Sequence, residues 1–153
     1  NGYNLKLNKI KNCADDSVVK ILPGFTVTLD NDCNLIFNGC VDITKPLKTA
    51  KGSYHLKKPP LPPLDGDIDY CETMGEYDIK AIRDIFKTLG LPTKCPYSAK
   101  KVCLPPNTKL SIAQYKNQLG LASGTSEAKL EAVHDTGHTC VEFGATISKA
   151  RKG

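Results

Sequence analysis

Tryptophan is absent from the 153 residues, methionine occurs once, and aromatic residues make up only 7%. Any internal cavity is therefore expected to be walled by Ile, Leu and Val with a few Phe and Tyr. No long apolar run exists, so no transmembrane span is expected, and no Asn-X-Ser/Thr acceptor is present. No basic run is interleaved with aromatics, which excludes a nucleic-acid module from the expected partners. The net charge of +5 comes from lysines spread along the chain and not gathered into a block, and it allows weak attraction to anionic lipid surfaces or acidic glycans. There is no initiating Met and no signal-like segment, so the chain is expected to be a mature secreted protein, extracellular, with its leader removed.

What is present in quantity is cysteine. Seven cysteines, several beside turn residues, point to an oxidising compartment and a disulfide framework. The length fits one domain, 1–153, able to bury a core without relying wholly on staples.

The chain is organised around DYCETMGEYDIKAIRDIFKTLGLPTKCP, Asp69 to Pro96. Ile79, Ile82, Phe86 and Leu89 recur at three- and four-residue steps and predict one stripe of a helix about three turns long. Lys80, Arg83, Asp84 and Lys87 take the wet side. The helix is expected to open after Glu76 and to stop at Gly90, with Pro92 just beyond. Cys71 and Cys95 bracket it. The rest reads as strands, so this helix is expected to cover one mouth of a β structure as a lid.

Tyr3, Leu5 and Leu7 alternate with polar residues, as in a half-buried strand. Val18 to Leu22 is a short strand ended by Pro23 and Gly24; Phe25, Val27 and Leu29 alternate along the next. LIFNGCVDIT, from Leu35 to Thr44, is a strand with a bulge or tight turn at Asn38 and Gly39. Leu47 to Lys57 follows, and then KKPPLPPLDGD breaks regular structure. That segment reads as a stiff loop around a sheet edge in preference to a polyproline ligand; Leu61 and Leu64 either line a ligand entrance or pack on the sheet. Strands around Leu110 and Ile112, through Ala128, Leu130 and Ala132, and through Val141, Phe143, Ala145 and Ile147 complete the chain. Asp135, Thr136 and Gly137 predict an antiparallel hairpin between the last two. The expected fold is all-β: an immunoglobulin-like two-sheet sandwich or cup of about eight antiparallel strands, with one short amphipathic helix in a lip loop.

The HDTGH segment offers His134, Asp135 and His138, which suggest a metal site or an acid/base pair. The same residues make a hairpin turn, and no third ligand or nucleophile with recognisable spacing accompanies them, so the turn reading is preferred. Neither an enzyme nor a cofactor is expected. Cys103 lies among lysines, which would lower its pKa, but no base accompanies it.

These residues carry a resemblance. A cysteine ending an early strand (Cys13 in NCADD), another in the final strand (Cys140 in HTCVEFGATISKA) and the pair around the lip (DYCETM and KCPY) resemble the ML lipid-recognition superfamily, in its ganglioside-activator branch with insect secreted relatives. The resemblance spans about Asn12 to Lys149. It implies that Cys13 pairs with Cys140 and Cys71 with Cys95. Of the three left, Cys33 is expected to pair with Cys40, since a hairpin brings partners seven apart within reach, leaving Cys103 free. The activator branch has eight cysteines with a further bridge in its lip, and the seven here depart from that.

The resemblance further implies a cup whose two sheets hold the acyl or sterol part of a lipid. Phe25, Val27, Phe37, Val41, Leu56, Leu130, Phe143 and Ile147 are the candidate walls, and Ile82, Phe86 and Leu89 the candidate lid. Each of these is more often a filled-core residue than a ligand contact, and periodicity does not separate a hollow core from a packed one. The partners expected are a lipid (fatty acid, phospholipid, glycolipid or sterol) and a membrane surface or protein receptor that receives it. The competing reading is a secreted β-sandwich interaction module with a filled core and no lipid.

Overall fold

The computed structural model of the protein describes residues 2–76 and 79–150. The described fold is an all-β sandwich. Its larger layer is a five-stranded antiparallel sheet in the order β1-β11-β10-β6-β7, formed by β1 (Tyr3–Asn12), β6 (Lys51–Lys57), β7 (Leu64–Asp69), β10 (Gly124–His134) and β11 (Gly137–Lys149). The HDTGH turn joins β10 to β11, whose register runs from His134 opposite Gly137 to Gly124 opposite Ile147. The expected hairpin is therefore present. Alternation assigns the faces: Leu130 opposite Val141 and Ala132 opposite Thr139 point inward, while Lys9 and Lys11 meet Glu142 on the outside at 3.0 and 3.7 Å.

The second layer is a sheet with a crease. β2 (Val19–Ile21), β5 (Cys40–Ile43) and β8 (Lys100–Cys103) form one three-stranded sheet, and β3 (Thr26–Leu29), β4 (Asn34–Asn38) and β9 (Thr108–Ser111) the other. The chain passes from one to the other three times: through Pro23 and Gly24, through Gly39, and through the Leu104–Asn107 segment. Gly39 has φ 122°, and a Cβ there would lie 2.7 Å from the Cα of Phe25, so glycine is required both by conformation and by close approach. Among the described residues eleven strands replace the eight expected: Gly39 divides the expected strand from Leu35 to Thr44 into β4 and β5, and β7 and β8 fall where no strand was expected.

Three links secure β1, β11 and the chain that leads into β2. Cys13 is bonded to Cys140 across 127 residues of sequence. Beside them, the buried Ser17 hydroxyl accepts the N–H of Cys140 at 3.0 Å. The Asn12 amide donates to Ile21 O at 2.9 Å and accepts Ile21 N–H at 3.0 Å. β2 is an edge strand, and this side chain occupies the place of the strand that would otherwise pair with it.

Two expectations are corrected. KKPPLPPLDGD does not break structure throughout, since Leu64–Asp69 is the edge strand β7, with Leu64 opposite Leu56 and Gly66 opposite Tyr54. Its acids hide it: Asp65 and Asp67 face solvent, and Gly66 leaves room for the Tyr54 ring that lies across it. The lip holds two helices and not one. α1 (Tyr70–Glu76) precedes α2 (Lys80–Thr88), and a 3-10 turn follows later at Ala113–Gln118. The expected start of the lip helix after Glu76 falls on residues 77 and 78, which lie outside the described residues; the described part of α2 begins after Ile79.

The interior is thinly packed. The protein exposes 9685 Å², against about 7,600 Å² for a compact monomer of this mass. Among the described residues, only Val18 and Ser17 have fully buried side chains. The apolar cluster is Val18, Ile43, Leu47 and Tyr97, with Val19, Met74, Phe86, Leu91 and Cys95 packed around it.

Candidate functional site: an apolar cavity under the lip

β7 runs directly into α1, and the Cys71–Cys95 bond, with Cα atoms 5.5 Å apart, closes the segment that carries α2. The end of α2 is set by sequence. Gly90 has φ 70°, its N–H reaches Lys87 O at 3.1 Å, and Leu91 N–H reaches Phe86 O at 2.9 Å. That is the hydrogen-bond pattern of a glycine-terminated helix, in which the residue after glycine packs back on the last turn. Here those two residues are Leu91 and Phe86, and both line a cavity.

The cavity has a volume of about 380 Å³. Its floor is the inner face of the large sheet, with Leu130, Ala132, Thr139 and Val141; one side is Val19, Val41, Ile43 and Val102; the other is Leu47 and Ala50; the roof is Tyr70, Met74, Phe86, Leu89, Leu91 and Tyr97. The lining is almost wholly apolar. Its few polar groups turn their hydrogen bonds away. In the neutral ring of His134, Nδ1–H donates to Thr49 O at 2.8 Å, since a carbonyl only accepts, and Nε2 accepts from the Thr139 hydroxyl at 2.8 Å. That hydroxyl in turn accepts Val19 N–H at 3.1 Å. Tyr70 donates to Ser53 O at 2.8 Å, and burial raises its phenol pKa above the ordinary tyrosine value. The Tyr97 hydroxyl is buried with no hydrogen-bond partner in the structure, and burial raises its pKa too.

The HDTGH residues hold the wall of this cavity. The Asp135 carboxylate accepts the N–H groups of Lys48 at 2.8 Å and Thr49 at 3.3 Å, and Thr136 donates to Pro46 O at 2.7 Å. Together they pin 46–49, which carries Leu47; Leu47 in turn exchanges two backbone bonds of 2.9 Å with Tyr97. His138 points elsewhere, to Asp16 at 3.0 Å. The three side chains serve three different places and do not converge. Among the described residues no cluster of His, Cys, Asp and Glu could hold a metal ion.

Of the eleven residues expected at a lipid site, Val41, Leu130, Phe86 and Leu89 line the cavity. Phe25, Val27 and Phe37 do not, because Val27 and Phe37 pair in the part of the second layer beyond the crease and Phe25 lies across Gly39. Leu56, Phe143 and Ile147 share the inner face with Leu130 by register but lie past the cavity's end. Ile82 lies on the open side of α2 and is 37% exposed. Periodicity missed Leu47, Leu91 and Tyr97, which belong to loops, and Met74, which belongs to a helix with no apolar repeat.

One disulfide is corrected. Cys40 bonds Cys103, not Cys33. Cys40 and Cys103 face each other directly in the β5–β8 ladder, with Cα atoms 4.0 Å apart, whereas Cys33 lies in the β3–β4 turn with φ 60° and is buried as a free thiol.

No helix among the described residues is long and apolar enough to cross a membrane. No family model matches the chain. The sporozoite-associated mosquito saliva protein 1 of Anopheles gambiae is 30% identical to it over 149 residues, which cover 96% of this chain and 82% of the mosquito protein. The chain belongs to the family of that insect saliva protein.

Proposed function

We propose that the protein is a secreted, non-enzymatic lipid-binding protein of the ML type, which holds an acyl chain or sterol in the cavity beneath its lip and transfers or presents it to a partner. The observation that carries this reading is the cavity itself: a void of about 380 Å³ with apolar walls, in the size range of ligand sites. An empty apolar void lacks dispersion contacts, and an acyl chain entering it gains about 0.8 kcal/mol per buried CH₂. Three disulfides and a relative named as a saliva protein support an extracellular setting. The commitment of His134, Asp135 and His138 to separate partners supports a non-catalytic role.

Native mass spectrometry before and after organic extraction tests the reading. A stoichiometric lipid that leaves on extraction is expected. A bare chain that takes up neither a fluorescent fatty acid nor a fluorescent sterol would sink it.

A second reading, a protein-interaction module, is favoured by one observation: Leu56, Leu61 and Leu64 lie near one another in sequence and pairing and are 39%, 60% and 57% exposed. It predicts a partner whose binding is lost on Leu61→Ser and Leu64→Ser with the lipid cavity untouched.

A further inference from the structure

The stretch from Ile79 to Lys101, which carries α2 and the start of β8, is strongly basic, whereas α1 before it holds two acids, Glu72 and Glu76, and no base. Between Ile79 and Lys101 stand six basic residues, Lys80, Arg83, Lys87, Lys94, Lys100 and Lys101, against one acid, Asp84. Their balance of +5 equals that of the whole chain, so the remainder is neutral. All six are exposed. No run gathers them in sequence: Lys80, Arg83, Lys87 and Lys94 stand on the segment that carries α2 and roofs the cavity, and Lys100 and Lys101 stand on β8 at its side.

One of them reaches the rim. Side chains alternate along β8, so Lys100 takes the side of Val102, which lines the cavity. Its Nζ donates to Leu89 O at 3.1 Å, and Leu89 lines the cavity from the roof. That carbonyl is at the C-terminal end of α2, where a cation is favoured. An ammonium has three protons to give; Leu89 takes one, which leaves two directed from the rim. In the cavity wall the polar atoms of His134, Thr139 and Tyr70 are bonded within the protein; the Tyr97 hydroxyl, which has no partner, is a neutral donor, so Lys100 is the group that offers an anionic head a positive charge.

Volume restricts the chain. A methylene is close in size to a water molecule, whose share of liquid volume is roughly 30 Å³, so 380 Å³ accommodates about a dozen of them. A cavity at the low end of the size range of ligand sites favours one such chain over two.

Resting on the lipid reading above, we propose that the ligand is a single-chain lipid with an anionic head, its chain in the cavity and its head oxygen on Lys100 at the rim. A fatty acid carboxylate and a lysophospholipid phosphate share this chemistry.

The test uses the full chain, stripped of lipid on a hydrophobic resin and titrated calorimetrically at low salt. The probes are tetradecanoate, myristoyl lysophosphatidate, tetradecanol and dimyristoyl phosphatidate. Both anionic single-chain probes are expected to bind about tenfold or more tighter than the alcohol, as a charge-assisted hydrogen bond provides; which of the two binds better separates the sources. Lys100→Ala and Lys100→Gln are expected to remove that preference, weakening the anionic probes at least tenfold more than tetradecanol, whereas a purely structural role for Lys100 would weaken acid and alcohol alike. Affinity is expected to rise about fourfold per methylene from octanoate to dodecanoate and then to level. Equal binding of acid and alcohol, or an intact preference in the Lys100 variants, overturns the anionic head and leaves the lipid carrier standing. Tighter binding of the two-chain phosphatidate overturns the single chain. Failure of every probe overturns the lipid reading itself, and this proposal with it.

Discussion

The Asp135 carboxylate sits 2.8 Å from the backbone nitrogen of Lys48, 87 residues away. This bond, with those to Thr49, holds its pKa below the ordinary carboxylate value. Asn34 N–H does the same for Asp30, and Lys9 for Glu142. A carboxyl depressed by folding contributes stability that is fully present above its unfolded pKa, about 3.9 for Asp, and that is lost as pH falls through the folded value. The melting temperature is therefore expected to be level from pH 7 to about pH 5 and to drop below about pH 4. Asp135→Asn should melt a few degrees lower at pH 7 and show a shallower acid limb. Thermal denaturation between pH 2 and 7 measures both, and an unchanged acid limb would refute the assignment.

Asn12 is expected to matter more than a half-buried polar residue usually does. Asn12→Ala strips both bonds from Ile21 and leaves an edge N–H and C=O without their partner. The expected cost is about 1–3 kcal/mol, read from urea unfolding as a lower midpoint with an unchanged slope. Asn12→Asp, which keeps the acceptor and loses the donor, should fall between the two.

Tyr97 points the other way. Its hydroxyl is buried with no hydrogen-bond partner in the structure, and the desolvation of such a group costs about 1–3 kcal/mol. Tyr97→Phe keeps the ring against Leu47 and removes the orphan oxygen, so it is expected to raise stability by about 1 kcal/mol. A loss of stability in the same urea experiment would show that the hydroxyl has a partner.

Ala132→Phe decides between a hollow and a filled interior. Adding atoms to a packed core costs about 1–3 kcal/mol. In a void of the size described, the ring has space, and stability should stay level or rise while uptake of a fluorescent fatty acid falls at least tenfold. Destabilisation with uptake unchanged would place the void elsewhere.

Much of this architecture is legible in the residues, and the gaps have physical causes. Alternation along Val141 to Ile147 and the Asp135-Thr136-Gly137 turn define the last hairpin, because both are local. The Cys40–Cys103 bond is not local: it depends on β5 pairing with β8 across 63 residues, and nothing in the spacing of seven cysteines announces that crossover. β7 is obscured by Asp65 and Asp67, since an edge strand facing solvent needs little apolar surface. The site is only partly readable for a different reason. Period two says which face Phe37, Val41, Leu130 and Phe143 occupy, not what stands opposite; Val41 and Leu130 meet a void where Phe37 and Phe143 do not. Leu47 and Tyr97 owe their place to a paired bridge between loops and carry no periodic mark.

The crease through Pro23, Gly39 and the 104–107 segment divides more than a sheet. The half bearing β2, β5 and β8 shapes the cavity, while the half bearing β3, β4 and β9 packs Val27 and Phe37 away from it. Substitutions in the first half reshape the cavity without disturbing the anchorage of the second, and those in the second tune durability without touching the cavity. A protein built this way can change the shape of its cavity along one compartment while the other keeps it folded.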